Sequence, residues 1–94
     1  MARKIMIAGN WKMNGQLEDG VNLAKAVAAE VKNLGKPACE FLVCPPFTLL
    51  YSVKKALRGA KVALGAQDAH FAVKGAHTGD ISPAMLKDLG CTYV

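Results

Sequence analysis

The chain has 94 residues, 52 % of them hydrophobic and 20 % charged, with only 6 % aromatic. That composition excludes disorder, a coiled coil and a disulfide miniprotein, and predicts one small aliphatic-cored domain. Twelve Lys and Arg against seven Asp and Glu give a net charge of +5, but no basic run exceeds two residues and no aromatics are interleaved, so nucleic-acid binding is not expected.

Ile5 to Ala8 form a short apolar run ending at Gly9, the signature of a buried strand. Leu17, Val21, Ala24, Val27, Ala28, Val31 and Leu34 then recur at spacings of three and four, predicting an amphipathic helix over 17–34. Glu18 and Asp19 fall in its first turn and Lys32 in its last, as the helix dipole favours, and Gly35 and Pro37 stop it.

Phe41 to Cys44 predict a second strand, closed by Pro45 and Pro46. Leu49 to Leu57 predict a second helix with Thr48 as its N-cap, and Val62 to Leu64 a third strand. Gln67 to Asp80 is a long polar loop of the kind that is usually functional or disordered. Ser82 then caps a third helix that starts at Pro83 and ends at Gly90, and Thr92 to Val94 open a fourth strand.

The order β-α-β-α-β-α-β predicts an α/β fold with parallel strands and right-handed crossovers. Residues 1–94 then form a single partial domain. With all three helices on one face, as in a barrel, the other face and both sheet edges are left open, and the last strand stops before any helix follows, so the chain reads as truncated.

Cys39, Cys44 and Cys91 lack zinc-type spacing and read as reduced thiols. Cys44 beside Pro45 has no placed base and is expected to be a buried thiol rather than a nucleophile. With no signal-peptide pattern and no apolar run of membrane length, the expectation is a cytoplasmic protein away from membranes.

Asn10 and Lys12 follow the first strand on one parity, with Trp11 on the other. Ligands of parallel α/β proteins bind at this carboxyl end, where an amide and an ammonium can hold a carbonyl and a phosphate or oxyanion. Position alone leaves a second reading open, in which Asn10 is a turn residue and Lys12 a solvated charge. Asp68, His70, His77 and Asp80 offer two imidazoles and two carboxylates, but their spacing matches no metal motif, so no metal is assigned.

AGNWKMN after the first strand, VCPPFTLL after the second, GAQDAH after the third and GAHTGDISPAMLKDLGCTYV at the end resemble the triosephosphate isomerase family in order and spacing. The resemblance implies the N-terminal part of a (β/α)8 barrel and an enzyme with no cofactor. The family interconverts dihydroxyacetone phosphate and D-glyceraldehyde 3-phosphate through an enediolate, with a glutamate base and a neutral histidine. By resemblance Lys12 is the catalytic, substrate-binding lysine and Asn10 its substrate-binding neighbour.

The family's histidine and glutamate belong to segments expected beyond Val94, so these residues alone are expected to be inactive. The resemblance also implies a homodimer formed through the Gln67–Asp80 loop, with Thr78 reaching the partner and Gln67 and Gly79 supporting the loop. Asp68 stands where many members carry asparagine, which puts in doubt any bond needing an amide donor there. The competing expectation is a catalytically inactive fragment that acts as an oligomerising module.

Overall fold

The computed structural model describes residues 3–94. Three strands, β1 (Ile5–Asn10), β2 (Cys39–Cys44) and β3 (Val62–Leu64), alternate with three helices, α1 (Leu17–Asn33), α2 (Leu50–Ala56) and α3 (Pro83–Leu89). The strands pair in parallel in the order β1-β2-β3, as expected for short apolar runs separated by crossover helices. No helix among the described residues is long and apolar enough to cross a membrane.

Register assigns the two faces of the sheet. Gly9, Val43 and Leu64 stand side by side. Val43 and Leu64 join Ala24 of α1, Leu50 and Val53 of α2 and Leu86 of α3 in one buried cluster, so the three helices share one face of the sheet. Asn10 aligns with Cys44 on the opposite parity. Leu42, also of that parity, is buried but stands apart from the cluster.

Within α1 the buried positions are Gly20, Ala24 and Val31, whereas Leu17 and Leu34 at the ends of the predicted stripe are 59 % and 58 % exposed. They lie at the two ends of a helix whose contacts are with α2 and the turn before it, so the stripe outruns its cover. Gly20 has a packing reason to be glycine inside a helix. A Cβ there would sit 2.7 Å from Leu49 Cδ1, and Leu49 is itself fully buried.

Two expectations are corrected. Thr48 is not an N-cap: Phe47–Leu49 form a 3-10 turn that leads directly into α2, whose first residue follows Leu49 without a side-chain cap. Leu49 N–H to Pro46 O is the turn's own bond, and the Phe47 carbonyl accepts from Leu50 N–H, the first amide of α2. The fourth strand is a single parallel bridge between Gly65 and Tyr93, bounded by Thr92 N–H to Leu64 O and Ala66 N–H to Tyr93 O, both 2.9 Å. Thr92 to Val94 thus take their place beside β3, but the pairing is too short to count as a strand.

The start of α3 follows the sequence closely. Ser82 Oγ accepts from Met85 N–H at 3.1 Å, Pro83 occupies the first turn, and Gly90 closes the helix in the left-handed region at φ 101°.

Candidate functional site at the carboxyl ends of the strands

Beyond Asn10 the β1–β2 ladder continues for one more bond, Trp11 N–H to Cys44 O at 3.1 Å. Trp11 packs against the helix-side cluster, the outward placement its parity predicts. The chain then turns sharply. Lys12 has φ 57°, the only positive φ at a non-glycine residue among the described residues, a conformation costing a residue with a Cβ about 1–2 kcal/mol.

Four hydrogen bonds hold that turn. Asn10 Oδ1 accepts from Lys12 N–H at 2.9 Å, and Asn14 Nδ2 donates to Trp11 O at 3.0 Å. Gln67, just past β3, donates from Nε2 to both Lys12 O and Cys44 O, each at 2.8 Å. A single side-chain amide therefore ties together the carboxyl ends of all three strands. Sequence reasoning gave Gln67 only a part in the long loop. Its partners are 55 and 23 residues away, and no local pattern signals them.

Asn10 and Lys12 are both exposed. The ion pairs among the described residues are Lys4–Glu40 and His70–Asp80, both 3.7 Å, so the Lys12 ammonium has no carboxylate partner there. Its charge is available to an anion. The arrangement sets a cation and an amide on a braced turn over the open end of the sheet.

Cys44 is partly buried and lies close over Gly65, where a Cβ would stand 2.8 Å from its Sγ. Burial pushes its thiol up from the ordinary range, as it does for Cys91, which suits a packed thiol and not a nucleophile.

The Gln67–Asp80 loop is more ordered than its composition suggests. His70 N–H donates to Ile81 O at 2.8 Å and closes its base, and Asp80 N–H to His77 O at 3.0 Å makes a turn through Thr78 and Gly79, both exposed. The His70 ring stacks on Phe71 at 4.5 Å and meets His77 at 4.2 Å. Asp68 Oδ1 accepts from Ala69 N–H at 2.9 Å, a role that a carboxylate fills without an amide. Asp68 stands apart from the cluster that His70, His77 and Asp80 form. Phe71 and Val73 stand 90 % and 67 % exposed on this loop.

A family model described as triosephosphate isomerase matches residues 5–94. The chain belongs to the triosephosphate isomerase family. It is 51 % identical over 92 residues to a triosephosphate isomerase of Herpetosiphon aurantiacus, covering 98 % of this chain and 36 % of that protein. Identity to a triosephosphate isomerase of Rhodopirellula baltica is 47 % over 95 residues, covering 100 % of this chain and again 36 % of the relative. The crystal structure of triosephosphate isomerase from Bartonella henselae superposes with a TM-score of 0.85 at 42 % identity, covering 95 % of this chain and 35 % of that one.

The chain thus spans little more than a third of the relatives it matches. Its α/β fold, three parallel strands with helices on one face, is the N-terminal part of the family's (β/α)8 barrel. Among the described residues the opposite face of the sheet is open and β1 lies at its edge, the positions that further strands occupy in a closed barrel.

Proposed function

We propose that this chain supplies the lysine-bearing part of an isomerase that interconverts dihydroxyacetone phosphate and D-glyceraldehyde 3-phosphate by proton transfer through an enediolate, in glycolysis and gluconeogenesis. Membership of the family supports the reaction. The observation that carries the assignment to Lys12 is the braced turn at the carboxyl end of β1, where a lysine without a carboxylate partner is held in the left-handed region by Asn10 and Gln67.

In this reading the Lys12 ammonium attracts the substrate's phosphate dianion and stabilises the charge that develops on oxygen as the enediolate forms. Asn10 hydrogen-bonds the carbonyl region of the substrate while its Oδ1 keeps the Lys12 backbone in place. The proton itself moves between carbons through a glutamate base and a histidine contributed by other parts of the barrel, with no cofactor. The 94 residues alone are therefore inactive.

The Gln67–Asp80 loop, with Phe71 and Val73 exposed, serves as the dimer contact, and Thr78 in its turn reaches toward the partner's active site. The three free thiols fit a reducing, cytoplasmic setting. A second reading is favoured by the exposed Ile5 and Ile7 on the β1 edge: the segment on its own acts as an oligomerising module without catalysis.

Lys12→Met in the complete enzyme tests the first reading. Loss of a cation beside a dianion is expected to lower kcat/KM by about 3–4 kcal/mol, on the order of 10²–10³-fold, in a coupled isomerase assay. Near-normal kcat/KM would remove Lys12 from the site. Light scattering on the 94-residue chain separates the readings further, because a monodisperse monomer would refute the oligomerising module.

A further inference from the structure

We infer that Gly65 is a positioning residue for the substrate-binding amide of Asn10: the side chain it lacks is the space into which the Cys44 thiol leans, away from that amide. The inference rests on the isomerase reading for its kinetic consequence, while the packing that carries it lies in the sheet.

The register sets four positions in one row. Asn10 pairs with Cys44. The β2–β3 ladder ends on Val43 and Leu64 and continues through Gly65 N–H to Val43 O at 2.9 Å, which brings Gly65 beside Cys44. Gly65 in turn bridges to Tyr93. Aligned residues of parallel strands point to the same face. Asn10, Cys44, Gly65 and Tyr93 therefore cross the carboxyl end of the sheet on the face turned away from the helices.

Within that row the thiol does not stand upright. Neighbouring strands lie about 4.8 Å apart, yet Cys44 Sγ comes within 2.8 Å of where a Gly65 Cβ would be. It leans over β3, and the room it gives up is on the Asn10 side. The Gly65 backbone lies outside the left-handed region, so its conformation admits alanine and only the space excludes one. Leu42 Cδ1 at 3.2 Å and Tyr93 Cβ at 3.4 Å border the same space. The first is the end of a flexible side chain and the second is ordinary packing, so the thiol is the neighbour that an added methyl must move.

Cysteine has one side-chain torsion with three staggered wells. A methyl at position 65 closes the well over β3 and sends Sγ back toward Asn10 or up toward the mouth of the site. Asn10 Oδ1 is committed to Lys12 N–H at 2.9 Å, which leaves Nδ2 to meet a substrate carbonyl. A sulfur pressed against that amide takes the room the substrate needs. Burial keeps the thiol protonated beyond its ordinary range, so the sulfur acts by size and not by charge.

The test compares the complete enzyme with its Gly65→Ala, Cys44→Ala and doubly substituted forms. Gly65→Ala is expected to lower kcat/KM about tenfold, chiefly through KM, short of the roughly 100-fold that an ångström of misplacement costs. In the Cys44→Ala background the same change is expected to move kcat/KM by less than about twofold. A methyl that acted only on stability would lower Tm and do so whether or not the thiol is present. Equal losses in both backgrounds, or no loss in either, would overturn the inference. Cys44→Val, with Gly65 untouched, puts a second γ-carbon into one of the other two wells and is expected to raise KM in the same way; a normal KM there would count equally against it. Disulfide-exchange labelling of Cys44, located by peptide mass spectrometry, is expected to speed up in Gly65→Ala, and an unchanged rate would show that the thiol had not moved. Labelling needs no turnover, so a parent protein without isomerase activity would refute the proposed reaction while the labelling rates still decide the packing.

Discussion

Replacing Gln67 tests the architecture of the site more sharply than replacing Lys12, because Gln67 makes no claim on the substrate. Its Nε2 donates two bonds of 2.8 Å, to Lys12 O and Cys44 O. A net contribution of about 0.5–1.5 kcal/mol per bond gives about 1–3 kcal/mol for the pair, and the exposure of Gln67 places it in the lower half. Against this stands the left-handed Lys12 backbone, which costs about 1–2 kcal/mol.

The Asn10–Lys12 bond alone, worth about 1 kcal/mol, then barely balances that cost. In Gln67→Glu the side chain keeps its length, but a carboxylate faces two carbonyl oxygens and both donations are lost. Cys44 O retains Trp11 N–H as a partner. Lys12 O does not, so the turn is expected to relax out of the left-handed region in a substantial fraction of molecules.

The consequence is a split between two measurements. Global stability falls by only about 1–2 kcal/mol, which in a protein of roughly 250 residues shifts Tm by about 2–8 °C. On the role proposed for Lys12 in the complete enzyme, displacement of the ammonium by an ångström costs about 100-fold in rate, so kcat/KM in the coupled isomerase assay is expected to fall by at least tenfold at temperatures well below Tm. A Gln67→Glu enzyme whose kcat/KM stays within twofold of the parent would refute the clamp. A loss of activity that merely followed unfolding would refute it equally.

Gly20→Ala forces a methyl to within 2.7 Å of Leu49 Cδ1 in the core. The overpacking cost of about 1–3 kcal/mol exceeds the gain of about 1 kcal/mol in helix propensity, so urea unfolding is expected at lower concentration, and a more stable variant would contradict the packing. Ser82→Ala removes the acceptor for Met85 N–H and is expected to cost about 1 kcal/mol by denaturant titration, while Ser82→Gly costs only a few tenths. Burial raises the thiols of Cys44 and Cys91. The unfolded chain therefore loses these protons first as pH rises. The thiol contribution to stability is full below the ordinary thiol range and is lost above it, which chemical denaturation between pH 7 and pH 10 will show as a decline absent from the Cys44→Ala, Cys91→Ala double variant.

Where a structural feature depends on near neighbours, the sequence was a sufficient guide. The strands follow from apolar runs bounded by glycine and proline. α3 follows from Ser82, Pro83 and Gly90, whose roles need only the next three or four residues. Thr48 is not a cap because it lies inside a 3-10 turn, which shares its residue preferences with an α-helix and whose Phe47 carbonyl takes the first amide of α2. Parity and position place Asn10 and Lys12 at a strand's carboxyl end, but parity does not reveal a backbone angle, and the left-handed Lys12 appears only in the folded chain. Gln67 was legible as a loop residue and illegible as a clamp, since both its acceptors are carbonyls brought near by sheet formation. Sequence places His70, His77 and Asp80 on one loop together with Asp68, but which of the four meet is hidden in the same way, since a stack of rings across a loop leaves no period in the chain.

These non-local links change how the site should be understood. A lysine on a free strand end would sample many backbone states and hold a phosphate only at the entropic cost of choosing one. Here the left-handed turn is held where β2 presents Cys44 O and Gln67, just past β3, donates to it and to Lys12 O. The strain at Lys12 is small, yet it persists only while all three strand ends are in register, which makes the ammonium's position a readout of the sheet. A slip of β3 by one residue would carry Gln67 to the other face of the sheet and release Lys12 without touching it. The lysine therefore belongs to the sheet as much as to its own loop, and variants of the β3 end should fail in catalysis before they fail in folding.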